Sequence, residues 1–209
     1  MLASPLPTQT VIETPRLLLR PIALSDASGL HLVFSDPETM RYVDFPPCAN
    51  LAETQKRIQL WTIPLPEWHA TWTLAEKESG TPIGIVTYHH RESSNRHLEV
   101  GYVLGRSHWR QGLMREAMSG LIDYCFEALA MHRIEVTVCP DNVAAVRFTE
   151  SLGFRREGGP LRDRSLVQGQ YRDLLLYGLL ERDWRAKTIR AEAAMIYAAA
   201  SRRPELRPI

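Results

Sequence analysis

Ser107-His108-Trp109-Arg110-Gln111-Gly112-Leu113-Met114-Arg115-Glu116-Ala117 is the stretch on which the reading of this chain turns. A strand-like run, Leu98 to Leu104, leads into it. Met114, Ala117, Met118, Leu121, Ile122, Cys125 and Leu129 follow at helical spacing and predict an amphipathic helix from about Leu113 to Ala130. A strand that passes through a short glycine-bearing loop into a helix N-terminus is a place to hold an anion. The first helical N–H groups have no partner inside the helix, and the helix dipole adds positive potential there. Arg110 and Arg115 bring full charges to the same end, and Gly112, without a Cβ, lets a ligand approach the backbone. The ligand such a loop suits is a phosphate or pyrophosphate.

Working outward, Arg16 to Pro21, Thr71 to Ala75 and Ile83 to His89 read as strands by their β-branched, aromatic and alternating content. Where short turns join consecutive strands the pairing must be antiparallel. Ile134 to Val138 reads as another strand, and the intervening helix is long enough to let it run parallel to Leu98–Leu104. Ser25 stands as an N-cap before a helix from Asp26 to Phe34. Asn50, with Glu53 three residues on, has the layout of a capping box before a helix from Leu51 to Thr62, which Pro64 and Pro66 end. Asn142 opens a short helix to Leu152 that Gly153 closes, and Phe154–Arg156 and Gln170–Leu179 add strands. Residues 1–12 read as a loose tail, 13–184 as one domain, and 185–209 as a helical extension that packs on the domain or on a second subunit as a homodimer.

Composition narrows the class. A chain of 209 residues is long enough for one well-buried domain and short for two. A net charge of +1, with no basic stripe, argues against nucleic acid or a membrane surface as partner. No apolar run reaches the roughly 18 residues of a membrane span, and the first ten residues lack the pattern of a signal peptide, so a cytoplasmic protein is expected. Cys48, Cys125 and Cys139 are odd in number and widely spaced, matching neither a disulfide framework nor a zinc pattern. His89, His90 and His97 flank one short turn without a second set of ligands nearby, so no metal is expected.

This order of elements resembles the GCN5-related N-acetyltransferase fold. Trp109 to Met114 occupies that family's phosphate motif, Gln/Arg-x-x-Gly-x-Gly/Ala, with the central Gly112 matching and Trp109 and Met114 departing from it. Gly112 to Ala117, GLMREA, is similar to the GLMxEA of the RimJ and RimL type of ribosomal-protein N-terminal acetyltransferase. TPRLLLRP near the start, His132 to Gly158, and Gln168 to Trp184 resemble further blocks of the same subfamily. The resemblance implies an α+β fold: a mixed, mostly antiparallel sheet of about six to seven strands, flanked by helices, with a splayed parallel pair holding acetyl-coenzyme A.

The resemblance also implies roles. The coenzyme pyrophosphate would sit on the loop Trp109, Arg110, Gln111, Gly112, Leu113 and Met114, with Arg115 nearby. The main chain of Tyr102, Val103 and Leu104 would bond the pantetheine arm, and Asn142 would contact it. The expected reaction is attack by a primary amine, a protein N-terminus or a small molecule, on the acetyl thioester. Glu99 is the base candidate and Tyr177 a weaker acid candidate. Thr149 stands where many relatives carry a tyrosine acid, and Ala145 where the RimL type carries a serine. Those gaps keep open a second reading, an acyl-coenzyme A sensor or interaction module without turnover. The acceptor cleft is expected between Tyr42–Cys48, Trp61, Trp68 and an Arg162–Gln168 loop; an open cleft would favour protein and a closed aromatic pocket a small molecule.

Overall fold

The computed structural model describes residues 10–63, 65–187 and 189. Among these, strands β1 (Ile12–Glu13), β2 (Leu17–Pro21), β3 (Ala70–Glu76), β4 (Pro82–Glu92), β5 (His97–Leu104), β6 (Arg133–Val138), β7 (Arg155–Val167) and β8 (Gln170–Leu180) form one sheet in the order β1-β2-β3-β4-β5-β6-β8-β7. Helices α1 (Ala27–Phe34), α2 (Pro37–Met40) and α3 (Leu51–Trp61) precede β3; α4 (Leu113–Glu127) links β5 to β6, and α5 (Val143–Leu152) links β6 to β7. Every neighbouring pair is antiparallel except β5 and β6.

Alternation along the strands sorts side chains to two cores. Leu98, Val100 and Leu104 of β5 and Ile134, Val136 and Val138 of β6 face Leu113, Met114, Ala117, Met118, Leu121 and Cys125 of α4. On the other face Val103 and Ile85 pack with Leu30, Phe34 and Ile58 from α1 and α3. The helical spacing read from Met114 to Cys125 is therefore a true core stripe, and Cys48, Cys125 and Cys139 are buried free thiols.

The structure departs from the sequence reading in particular places. Eight strands form among the described residues, because the short run Ile12–Glu13, at the expected boundary of tail and domain, pairs with β2. Ser25 does not cap α1; it lies in the 3-10 turn Leu24–Asp26, and Asp26 turns instead to Arg20 and Thr73. The helix Pro37–Met40, capped by Asp36, gave no apolar period to read. Arg162–Val167 is strand rather than loop. β7 runs on to a tight turn at Gln168 and Gly169, both at positive φ as a two-residue hairpin requires, but its exposed polar residues carry no apolar alternation. Residues 181–187 are helical, and most of the expected C-terminal helix lies outside the described residues.

Candidate active site

β5 and β6 begin as partners and then part. His97, Leu98 and Glu99 pair with Arg133, Ile134 and Glu135, and no further pairs follow, although β5 runs on to Leu104 and β6 to Val138. The gap opens toward the loop Gly105–Gly112. The antiparallel ladder of β5 with β4 sets which backbone groups face the gap. The Gly105 N–H donates to Ile83 C=O, which fixes the phase: Val103, Gly101 and Glu99 exchange bonds with β4, and Val100, Tyr102 and Leu104 present theirs to the gap. Of the three expected main-chain contacts, Tyr102 thus lies on the open edge while Val103 is committed to Ile85. The Leu104 C=O already accepts a 2.7 Å bond from the Trp109 indole, leaving that residue its N–H.

The loop has the geometry of an anion cradle. Gly112 is the N-cap of α4 at φ 78°, with Arg110 also at positive φ, so consecutive N–H groups turn to one side. Among the described residues, no protein acceptor takes the N–H of Arg110, Gln111, Gly112, Leu113 or Met114. Two sequence blocks read separately meet here. Glu116 of GLMREA accepts from the Thr14 hydroxyl at 2.6 Å, the Arg16 N–H at 2.6 Å and Arg16 Nε at 2.7 Å, all from the opening TPRL block. Arg16 Nη1 also donates to Gln111 C=O at 2.9 Å, which puts a guanidinium beside the loop. Sequence reading missed Arg16 and Glu116, whose link spans about a hundred residues. Arg115, expected at the anion, braces α4 to α5 by donating to Ser151 C=O and Oγ.

On the opposite face of the sheet, where the strands part, lies Glu99. Its Oε1 accepts from Thr137 Oγ1 of β6 at 2.6 Å, and its Oε2 lies 3.2 Å from His90 Nδ1 and 3.6 Å from His89 Nε2. Adjacent strand residues normally point to opposite faces. Here a bulge lets His90 and Arg91 oppose one residue of β5, and His90 takes φ 52°, so both histidines converge on one carboxylate. Burial pushes the Glu99 carboxyl up, but the His89 imidazole, the Thr137 hydroxyl and His90 outweigh it and lower it to about 2. Taking a proton from an α-amine near 8 would cost such a group roughly 8 kcal/mol. The expected base is better described as a fixed negative charge.

Tyr177 is fully buried on β8, with β6 between it and the gap, and its hydroxyl donates to Glu150 Oε1 at 3.1 Å. Burial and that carboxylate both push it up, and its place behind β6 keeps it from the gap where an acid would act. Tyr102 meets Phe148 and Thr149 on the α5 side, and burial pushes it up to about 12, against the pull of its Thr149 hydrogen bond. Protonating an alkyl thiolate near 8.5 from such a phenol is uphill by about 5 kcal/mol, so Tyr102 can donate a hydrogen bond but is a poor acid. Asn142 caps α5, accepting from Ala145 N–H at 3.1 Å. Trp61 is locked edge-on against Phe34 and Phe45, whereas Trp68 is 54% exposed and meets His90 edge-on at 5.1 Å. His97 pairs with Glu92 instead of joining the other histidines.

A splayed parallel strand pair with an anion loop at its end defines a transferase that lays a coenzyme A thioester into the sheet. Comparison with known proteins fixes the family. Residues 16–155 match the acetyltransferase (GNAT) domain, and the chain belongs to the GNAT acetyltransferases. It is 35% identical over 174 residues to a Bacillus licheniformis protein described as the uncharacterized N-acetyltransferase p20, covering 83% of this chain and 97% of that one. A segment of 85 residues, 41% of this chain and 43% of the relative, is 35% identical to the [ribosomal protein uS5]-alanine N-acetyltransferase of Escherichia coli. The fold matches a GCN5-related N-acetyltransferase from Brucella melitensis with a TM-score of 0.79 at 23% identity, over 87% of this chain and 83% of that one. The protein is an acetyl-coenzyme A-dependent N-acetyltransferase. Among the described residues, no helix is long and apolar enough to cross a membrane.

Proposed function

We propose that the acceptor is the α-amine of a protein N-terminus. The observation that carries this reading is the open rim of the acceptor side: Trp68 and His90 lie exposed, and Trp61 packs edge-on against Phe34 and Phe45 at the margin of a core. An extended N-terminal segment needs such a trough. The energetics agree. An α-amine titrates near 7.7–8.0, so freeing it at neutral pH costs only about 1 kcal/mol, against about 4 or more for a lysine-like amine near 10.4. A site whose carboxylate is a fixed charge suits the easier amine. The likeness, over 41% of this chain, to the [ribosomal protein uS5]-alanine N-acetyltransferase supports a protein acceptor.

In this reading Glu99 draws the amine to the mouth of the gap. The neutral nitrogen attacks the acetyl carbonyl, the N–C bond forms as the C–S bond breaks, the nitrogen sheds a proton to water at the open rim, and the thiolate takes one from solvent. Arg16, the free loop N–H groups and the Tyr102 backbone hold the coenzyme. The test is thiol release from acetyl-coenzyme A against N-terminal peptides, N-blocked lysine peptides, polyamines and small aromatic amines. Turnover concentrated on free N-terminal peptides is expected. Turnover confined to polyamines or aromatic amines would overturn the acceptor class and leave the family untouched.

A further inference from the structure

We propose that His89, His90 and Glu99 form a binding site for a divalent transition-metal ion of the Zn²⁺ type at the mouth of the acceptor trough, and that an ion bound there shuts the amine out. Two imidazole nitrogens and a carboxylate oxygen present ligand atoms that all lie within 4.8 Å of one another. Two ligands held tetrahedrally at about 2.0–2.2 Å lie roughly 3.4 Å apart, so the widest separation must close by about 1.4 Å, which His90, 59% exposed, can supply by swinging in. Two histidines with one carboxylate is a borderline donor set that suits zinc or its neighbours, not the all-oxygen preference of magnesium or calcium.

Three features set this apart from histidines that happen to be close. The bulge in β4 and the positive φ of His90 are what bring adjacent residues to one carboxylate, and a non-glycine residue is seldom held there without a reason. Thr137 holds Oε1 of Glu99 and so leaves Oε2 turned toward the two rings, as an outer-shell partner orients a metal ligand. The donors are supplied by two strands of the rigid sheet, β4 and β5, steadied by a third, β6. Three protein ligands leave at least one position open toward the trough.

The consequence rests on the acceptor reading above. Glu99 is the negative charge that faces the incoming amine, and a bound dication would reverse the sign at that point and occupy the space.

The binding experiment is titration of the metal-free full chain with Co²⁺, read by its visible absorption, and with Zn²⁺ by calorimetry. One equivalent per chain with a tetrahedral cobalt spectrum is expected. His90→Ala and Glu99→Ala should each weaken it by tenfold or more, and Thr137→Val by roughly tenfold. His97→Ala should leave it unchanged, since the His97–Glu92 pair is the other histidine–carboxylate contact on this hairpin. Substoichiometric binding, or binding that survives His90→Ala, would overturn the site. His90 is a surface side chain, so this variant tests the site without threatening the fold. In the transfer assay Zn²⁺ should raise the KM of the amine and leave that of acetyl-coenzyme A unchanged; the opposite pattern would overturn the exclusion of the amine. Absence of turnover on every amine, with the cobalt spectrum intact, would count against the acceptor reading and not against the site.

Discussion

The two faces of the gap between β5 and β6 are built by different means. The side proposed for the coenzyme is mostly backbone: a glycine at positive φ, unpaired N–H groups at a helix start, and the open edge of β5. The side proposed for the acceptor is mostly side chains: Glu99, His89, His90 and Thr137 gathered from three strands around a bulge. A backbone device tolerates much sequence variation and serves one invariant ligand. A side-chain device can be changed one residue at a time, and so can follow a changing acceptor.

If that division is real, variants on the acceptor side should change amine kinetics without touching coenzyme binding. The largest effect is expected for Glu99→Gln, which keeps the shape and removes the charge. Turnover with an N-terminal peptide at sub-saturating amine should fall by about 10- to 150-fold, the equivalent of the roughly 1.5–3 kcal/mol of a hydrogen bond to a charged group. The acetyl-coenzyme A dissociation constant, measured by calorimetry, should stay within a factor of two. A loss of coenzyme affinity of similar size would break the division.

Next come the carboxylates that anchor each side to the sheet. Asp26 is 1% exposed and fixes the start of α1, accepting from both Arg20 Nη atoms, from Thr73 Oγ1 and from the Ala23 N–H. Glu116 joins the loop end of α4 to Thr14 and Arg16, but Arg16 is half exposed and the pair is screened. Burial pushes both carboxyls up, and in each case the donors outweigh it and leave the group below its ordinary value. A lowered folded value means stability that is complete above the unfolded values near 4 and is lost as pH falls through the folded ones. Thermal denaturation between pH 6 and 3 should show Asp26→Asn costing about 2–3 kcal/mol at pH 6 and flattening the loss below pH 4. Glu116→Gln should cost about 1 kcal/mol. Equal costs would mean that the acceptor layer is no more dependent on a single buried charge than the loop is.

On the coenzyme side, Gly112→Val forces a β-branched residue to φ 78°, a strain of the backbone itself, since a Cβ there meets Arg16 Nη2 at an ordinary contact distance of 3.5 Å. Strain of about 1–3 kcal/mol should appear as a 5- to 150-fold weaker grip on acetyl-coenzyme A, by titration. Amine KM, measured at saturating coenzyme, should hold. Unchanged coenzyme affinity would show that the loop does not depend on this conformation.

The same division explains what could be read in advance. The strand, loop and helix around Gly112, the parallel placement of Ile134–Val138 and the α4 stripe are local or periodic, and sequence carries such signals directly. Glu99 could be singled out by position, but not its neighbours. His89 and His90 were adjacent in sequence and should have faced apart; only the bulge, which no local signal marked, turned them together. Arg16 and Glu116 lay in two recognised blocks, yet their contact depends on β1 and β2 passing beside the start of α4. β7 went unread beyond Arg156 because its exposed arginines and aspartate leave no apolar alternation, its partner being found through the backbone.

The smallest effect sharpens the account of Trp109, which departs from the family motif. Its indole N–H holds Leu104 C=O at 2.7 Å, one of the backbone groups that the ladder turns toward the gap. The ring therefore latches the loop to the end of β5, and it does so by occupying an acceptor that pantetheine would otherwise meet. Two terms compete in Trp109→Phe. Losing the latch loosens the loop by about 0.5–1.5 kcal/mol, the worth of one hydrogen bond. Freeing the carbonyl offers the coenzyme one more acceptor, but on a strand end that is no longer held. Preorganisation should prevail, because the loop contributes several N–H groups and the carbonyl only one contact. The expected result is an acetyl-coenzyme A KM raised two- to tenfold, with amine KM unchanged. A lower KM would instead mean that Leu104 C=O is a coenzyme contact and that Trp109 competes with the coenzyme for it.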